Sequence, residues 1–330
     1  MNIIRNATES DFNILVDFQE LMYSPISVSY FDFMKFWFSK NQDEINKSII
    51  LYDEDNQVIR GQLINSSMKY FYNNELKESV WPIRYMVQEE YRKFAWGLDI
   101  LLECMEQYPT YFSTGAGPNS LPIEKKLGKT IVGEIRKYIG LLNPIYFFTS
   151  FKREVVPIQK FPNSVNATKT TFNKLSINDI PNQYRPYNNN LFEPSRDNDY
   201  LKWRFWGGLH DYAFYKANDS NDYFVLRTIV EKGITIMLLA DYRCNTSSKE
   251  PFENILNAAC KITRKLHLPV LFTGSTLSVV DSVLEQHHFK SMGRPRPVLS
   301  TIKFKDRNED IKQRNFCFIT LADSDGETNR

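Results

Sequence analysis

The sequence predicts an α/β protein in which mixed, mainly antiparallel sheets are flanked by helices and arranged as two tandem units. Three observations predict it. The chain has 330 residues, 42% of them hydrophobic and 24% charged, enough apolar material for two units with a core each. Residues 81–128, WPIRYMVQEEYRKFAWGLDILLECMEQYPTYFSTGAGPNSLPIEKKLG, read as strand, tight loop, helix, strand, helix. The second half then runs through the same order of elements as the first, a repeat of architecture with little residue identity.

The first unit opens with a short strand over 2–5, and Thr8 or Ser10 caps a helix over 11–21. Residues 27–40 (SVSYFDFMKFWFSK) carry aromatics at helical spacing, which suits either core or the lining of a pocket. A strand over 48–52, a polar turn at DEDNQ and strands over 58–65 and 68–72 form an antiparallel meander turned at Asn73-Asn74. It feeds a strand at 85–87. Leu98, Leu101, Leu102 and Met105 recur at intervals of three and four, so a helix presents them on one face. A strand over 111–114, a helix over 119–128 and closing strands within 130–142 complete the unit. Pro144, Pro157 and Pro162 break up residues 143–170, so the units divide as 1–150 and 151–330.

In the second unit, residues 175–184 open as residues 8–12 do, and 195–205 (SRDNDYLKWRF) follow. Strands are expected over 213–216, 223–230 and 234–242, with a hairpin turn at Glu231-Lys232-Gly233. A helix over 251–266, a strand over 269–273, a helix over 279–288 and strands near 298–304 and 315–321 close the chain.

Charge and cysteine usage narrow the function classes. With 41 basic and 39 acidic residues, the chain lacks the electrostatic footprint of a nucleic-acid binder. Its N-terminus has no signal-peptide layout, and no apolar run reaches the roughly 20 residues of a membrane span, so a cytoplasmic protein without membrane insertion is expected. Cys104, Cys244, Cys260 and Cys317 are far apart and share no ligand spacing with the four histidines; neither disulfides nor a metal site is expected.

The chemistry concentrates after the strand at 85–87. Residues 92–97 (RKFAWG) join a basic residue to small residues at Ala95 and Gly97 immediately before a helix. Amides converging at a helix N-terminus suit a pyrophosphate; a plain strand-to-helix connection has the same composition. Val87, Tyr91, Arg92, Ala95 and Gly97 resemble the V-x-P-x-Y-R and R/Q-x-x-G-x-G/A motifs of the GNAT superfamily of acyl-CoA-dependent N-acyltransferases. Ala95 stands where that family usually has glycine, which alanine can replace if its φ is negative. Asn119 and the Lys-Leu-Gly ending at 126–128 resemble the family's N-x-x-A-x-x-L-Y-x-K-L-G segment, with Glu124 where a tyrosine acid often sits.

The resemblance implies a coenzyme A site formed by Tyr85, Met86, Val87, Arg92, Lys93, Phe94, Ala95, Trp96, Gly97, Leu98 and Asn119. It also implies an oxyanion donor at the amide of Met86 or Val87. The equivalent stretch of the second half, YRCNTSSKEPFEN, has no Gly-spaced loop, which assigns the acyl-CoA to the first half. Glu124 and Asp241 are the candidate proton acceptors. Tyr200, Trp203 and Arg204 could stack a base or sugar and grip a diphosphate, or be core, and Arg243 ends a strand beside Asp241 at the expected cleft. Paired units of this kind look like bacterial N-acyltransferases acting on nucleotide-linked (dTDP or UDP) amino-dideoxy sugars in surface-polysaccharide assembly. A non-catalytic binding module and an aminoacyl transferase of peptidoglycan precursors are the alternatives.

Overall fold

Turn chemistry and alternation build the first sheet. In the computed structural model of the chain, which describes residues 1–117, 120–150, 154–180, 186–188 and 190–324, strand β1 (Asn2–Asn6) leads to helices α1 (Phe12–Met22) and α2 (Tyr30–Phe38). Strands β2 (Ile49–Asp53), β3 (Val58–Tyr72) and β4 (Glu75–Val87) follow. The two strands expected over 58–72 are one long strand, with an irregularity in register between Ile64 and Asn65 instead of a break. Asn73 and Asn74 both have positive φ, 51° and 64°, as a two-residue hairpin turn demands.

Next come α3 (Glu89–Arg92), α4 (Trp96–Gln107), β5 (Phe112–Thr114), α5 (Ser120–Lys126), β6 (Thr130–Leu141) and α6 (Ile145–Ser150). Helix α4 starts two residues before its expected N-terminus. Its buried stripe is Ile100, Leu101 and Cys104, while Leu98 and Leu102 are exposed. The spacing was right and the face was rotated. Gly61 makes that packing close: a Cβ there would lie 3.0 Å from Val87 Cγ2 and 3.1 Å from Ile100 Cδ1.

A small hairpin, β7 (Ser164–Asn166) and β8 (Thr171–Lys174), begins within the irregular stretch expected over 143–170 and lies on the outer edge of the second sheet. Then come β9 (Glu193–Pro194), α7 (Asn198–Trp206), β10 (Ala213–Ala217), β11 (Tyr223–Glu231) and β12 (Ile234–Arg243). The chain ends in α8 (Glu250–Lys265), β13 (Val270–Ser275), α9 (Ser278–Gln286), β14 (Lys290–Ser300) and α10 (Asn308–Lys312). Residues 315–321 make only an isolated bridge, Cys317 to Phe192, and no ladder strand. Strand β14 begins eight residues before the strand expected near 298–304 and takes in Pro295 and Pro297, residues that a strand interior disfavours.

The largest departure is topological. One sheet has the order β1-β2-β3-β4, with β9 added to β3; the other runs β5-β14-β6-β13-β12-β11-β10-β8-β7. The first half does not close on its own strands: β14, from the second half, lies antiparallel between β5 and β6, and β6 in turn pairs with β13. Helix α4 covers one face of the first sheet, and α1 and α2 cover the other. Helices α8 and α9 pack on the second sheet. Between the sheets, Phe36 of α2 stacks on Trp203 of α7 with ring centroids 4.8 Å apart. Among the described residues no helix is long and apolar enough to cross a membrane.

Candidate active site

Strands β4 and β5 are parallel and touch at one bridge, Val80 to Tyr111, beside which Ser79 Oγ donates to the Thr110 carbonyl at 2.9 Å. Beyond it they diverge. Residues 82–87 stay with β3 while β5 joins β14, and the gap opens into a cavity of about 310 Å³ lined by Ile83, Tyr85, Tyr111, Ser113 and Glu124 among others. Gln88 N–H donates to the Arg60 carbonyl at 2.9 Å. Because residues of an antiparallel ladder alternate in direction, the Tyr85 and Val87 amides point away from β3 into the gap, and the Met86 amide points into the ladder. Of the two expected oxyanion donors, the Val87 amide faces the gap and the Met86 amide does not.

At the gap's end lies the loop 92–97. Arg92 Nε donates to the Val87 carbonyl at 2.9 Å and so ties the loop to the end of β4. The amides of Phe94, Ala95 and Leu98 bond within the turn, to Tyr91, Arg92 and Ala95 carbonyls. Those of Trp96 and Gly97, the first two residues of α4, find no carbonyl among the described residues. Arg92 to Ala95 are exposed. Phe94, 60% exposed, has the Lys93 ammonium 4.9 Å from its ring centroid. These groups fit an anionic, partly flat ligand: two free N–H donors, a helix dipole and flanking cations.

Ala95 departs from its expected backbone. Its φ is +63°, the left-handed region that favours glycine. Gly97 has a separate reason to lack a side chain, since a Cβ there would lie 2.5 Å from the Tyr85 hydroxyl. Burial is the main force pushing the Tyr85 phenol up to about 12, with the Glu124 charge adding to it and Arg92 opposing.

Glu124 reaches the cavity but is committed elsewhere. Its carboxylate accepts from Lys129 Nζ at 2.8 Å and Ser113 Oγ at 3.0 Å, both partners buried, and the ammonium lies 3.4 Å from the centre of the Tyr111 ring. Burial pulls the Lys129 pKa down, against the pull of Glu124. Both partners tie Glu124 into the fold, where it anchors α5 to the start of β6.

Asp241 and Arg243 do not face a cleft. Both are fully buried. Asp241 accepts from Arg196 at 3.0 and 3.2 Å, Arg243 at 3.0 Å, Tyr223 at 2.9 Å and Thr320 at 2.6 Å. Burial pushes its pKa up, and Arg196 and Arg243 overcome that and hold it at about 2. The alternation of β12 turns the end of the strand inward, where a charge needs partners. Arg204 is likewise core, its Nε donating to the Ala322 carbonyl at 2.9 Å. Tyr200 and Trp203 line a second cavity of about 550 Å³ between α2, α7 and the middle of β4. There the Trp203 indole already stacks on Phe36 and donates to its carbonyl at 2.9 Å, with the Lys40 ammonium 4.7 Å from its ring. Asn119 lies outside the described residues.

Sequence reading missed Arg84, Lys137 and Arg296, which line the first cavity. Arg84 was the findable one: it alternates with Tyr85 on a strand already located. The other two depend on the strand exchange.

No family model and no curated protein matches the sequence. Solved structures do match the architecture. A GCN5-related N-acetyltransferase from Anabaena variabilis ATCC 29413 is 11% identical and covers 91% of this chain and 72% of its own, with a TM-score of 0.58. The Saccharomyces cerevisiae N-myristoyltransferase with bound myristoyl-CoA is also 11% identical, covering 91% and 82%, with a TM-score of 0.60. A probable N-acyltransferase from Enterococcus faecalis V583 gives 9% identity, 91% and 72% coverage and 0.57. The chain has the fold of the GCN5-related N-acetyltransferases. Within this GCN5-related fold the two halves differ at the gap. Between β12 and β13, which pair at Met237 and Leu238, the Tyr242 hydroxyl donates to the Gly274 carbonyl at 3.0 Å and its ring packs on Phe252 and Phe318. That gap is filled by the protein's own side chains.

Proposed function

We propose that the protein is an acyl-CoA-dependent N-acyltransferase that acylates the amine of a nucleotide-linked amino-dideoxy sugar, dTDP- or UDP-linked, in surface-polysaccharide assembly. The observation that carries the donor assignment is the open β4–β5 gap leading to a helix whose first two amides are free. Trp96 and Gly97 N–H would hold the pyrophosphate, with Arg92, Lys93 and Phe94 at the rim and Tyr85 above Gly97. Val87 N–H faces the place where a thioester carbonyl would develop negative charge, a geometry that stabilises the transition state more than the ground state. The filled gap of residues 151–330 argues for a donor site in 1–150 alone, with the second half serving the acceptor.

Chemically, the neutral amine attacks the thioester carbonyl carbon, the C–S bond breaks, and the proton lost by nitrogen ends on the departing thiol. Among the described residues no carboxylate lining the cavity is free to accept that proton, because Glu124 is paired with Lys129. The amine is therefore expected to enter neutral, with water carrying the proton.

The test is a Gly97→Val variant together with a panel of acyl-CoAs and amino-sugar nucleotides. Calorimetry should show CoA binding to the native chain and at least tenfold weaker binding to the variant, because the new side chain meets the Tyr85 hydroxyl. Thiol release should require an amino-sugar nucleotide. CoA affinity that is absent from the native chain, or unchanged in the variant, would reject the donor site; binding without thiol release across the panel would make the protein a binding module.

A further inference from the structure

Past Tyr85 the wall of the first cavity changes character. In the ladder of β3 and β4, Ile64 pairs with Arg84 and Asn65 with Pro82, so Ile83 has no partner and is a bulge residue. A bulge re-aims a side chain. Tyr85 and Val87 pack with the core under α4, whereas Ile83, nearer the Val80–Tyr111 bridge, belongs to the core shared with α1 and α2. Ile83 and Tyr85 both line the cavity, which therefore passes from one face of the first sheet to the other at the bulge.

On the second face the apolar lining comes from the second sheet and the segment after it. Ile135 of β6, Leu238 of β12 and Leu321 line the cavity and belong to the same core as Ile83. Register sets them side by side. Leu238 pairs with Phe272 of β13, and Phe272 with Ile139 of β6, on the face that Ile135 shares by alternation. Gly274 stands opposite Lys137, and a Cβ there would lie 2.5 Å from Leu321 Cδ2 and 3.4 Å from Ile135 Cγ2. The bare backbone at Gly274 lets Leu321 settle beside Ile135. Ile135, Leu238 and Leu321 are all buried, while Arg296 is exposed and Ser120 and Ser324 are half-buried at the same cavity. Three inter-strand spacings, about 14 Å, separate β14, which carries Arg296, from β12. The cavity thus has a polar mouth and an apolar inner end.

We propose that the apolar end takes the acyl chain of the donor, that this chain is an alkanoyl group longer than acetyl, and that Ile83, Ile135, Leu238 and Leu321 set its length. This rests on the acyltransferase reading for the presence of a thioester. A thioester held in the gap by an amide of β4 sends its chain past the bulge at Ile83, and the amine enters from the polar mouth. Acetyl would leave the wall beyond Ile83 uncovered, whereas several methylenes would bury it. A sugar ring presents hydroxyls on its edge, and none of these four side chains can satisfy one, so the acceptor does not belong at this end. The second half would then shape the donor site as well as the acceptor site, through β12 and Leu321.

The experiment is calorimetric titration of CoA, acetyl-CoA, butanoyl-CoA and hexanoyl-CoA into the native chain, Leu238→Phe and Leu321→Asn. In the native chain each added methylene should tighten binding about threefold to fourfold, so that butanoyl-CoA binds roughly tenfold tighter than acetyl-CoA. Leu238→Phe shortens the apolar end and Leu321→Asn places an amide in it. Both should weaken hexanoyl-CoA by about tenfold or more and leave CoA itself unchanged. A native series that is flat or falls with chain length would overturn the proposal while the acyltransferase reading stands. A rising series that the folded variants leave unchanged would overturn the placement of the chain. Should neither variant fold, the native series decides alone. Absence of CoA binding in the native chain would remove the acyltransferase reading and this proposal together.

Discussion

Ala95 occupies a conformation that costs an L-residue about 1–2 kcal/mol, and it does so in the turn that presents the free amides of Trp96 and Gly97. Relief of that strain outweighs the extra chain entropy of glycine. Ala95→Gly is therefore expected to raise the unfolding free energy by about 0.5–1 kcal/mol in urea titrations. The sequence reading placed a phosphate-binding turn here from residue types and spacing, yet it took alanine to need a negative φ. The sign of φ belongs to the turn as a whole and is not written in one residue. Glu124 teaches a similar lesson. Its position in the sequence suggested an acid or base, and only the fold brings Lys129 and Ser113 to its oxygens. Glu124→Gln should cost about 3 kcal/mol by leaving a buried ammonium unpaired, and Glu124→Gln with Lys129→Met should recover most of it. The kcat of the folded fraction should change by no more than about threefold, whereas a loss of the hundredfold order typical of a missing general base, with stability intact, would restore Glu124 to the chemistry.

Elements were more legible than residues wherever a periodic pattern had a turn at each end, as in β11, β12 and their Lys232-Gly233 hairpin, both residues at positive φ. Legibility failed where burial of polar groups decides the outcome. The end of β12 reads as a charged strand terminus, and in the fold it is the centre of a network joining β9, the segment before α7, β12 and residues 320–323 through Arg196, Arg243, Glu193, Asp241 and Asp323. Asp241 has a folded pKa of about 2 against 3.8 for an unperturbed group. A depressed carboxyl pKa contributes stability that is complete above the unfolded value and lost as pH falls through the folded one. Native stability should therefore drop between pH 4 and pH 2, and Asp241→Asn should flatten that limb while lowering stability at pH 7 by about 3–5 kcal/mol. Chemical denaturation across this range checks both.

At the scale of the whole molecule, no property of residues 130–142 or 290–300 could reveal that β14 completes the sheet of the other half. Each segment reads as a plausible strand, and pairing between halves is a non-local choice. Strand β9, which adds to β3, and the Phe36–Trp203 stack join the halves at further points. Fragments 1–150 and 151–330, made separately, are expected to lack cooperative unfolding, and the intact chain to melt in one calorimetric transition with equal calorimetric and van't Hoff enthalpies. Two resolved transitions, or a folded fragment, would contradict that. The interlock also imposes an order on synthesis. Residues 142–289 must be translated between β6 and β14, a wait of roughly 7–30 s at 5–20 residues per second. Throughout it the nascent N-terminal half carries two raw β-edges, those of β5 and β6, with nothing yet made to cover them. A ribosome stalled anywhere in that interval would leave a sticky, unfinished product, and the cell's folding helpers would have their most important task on this chain during those seconds.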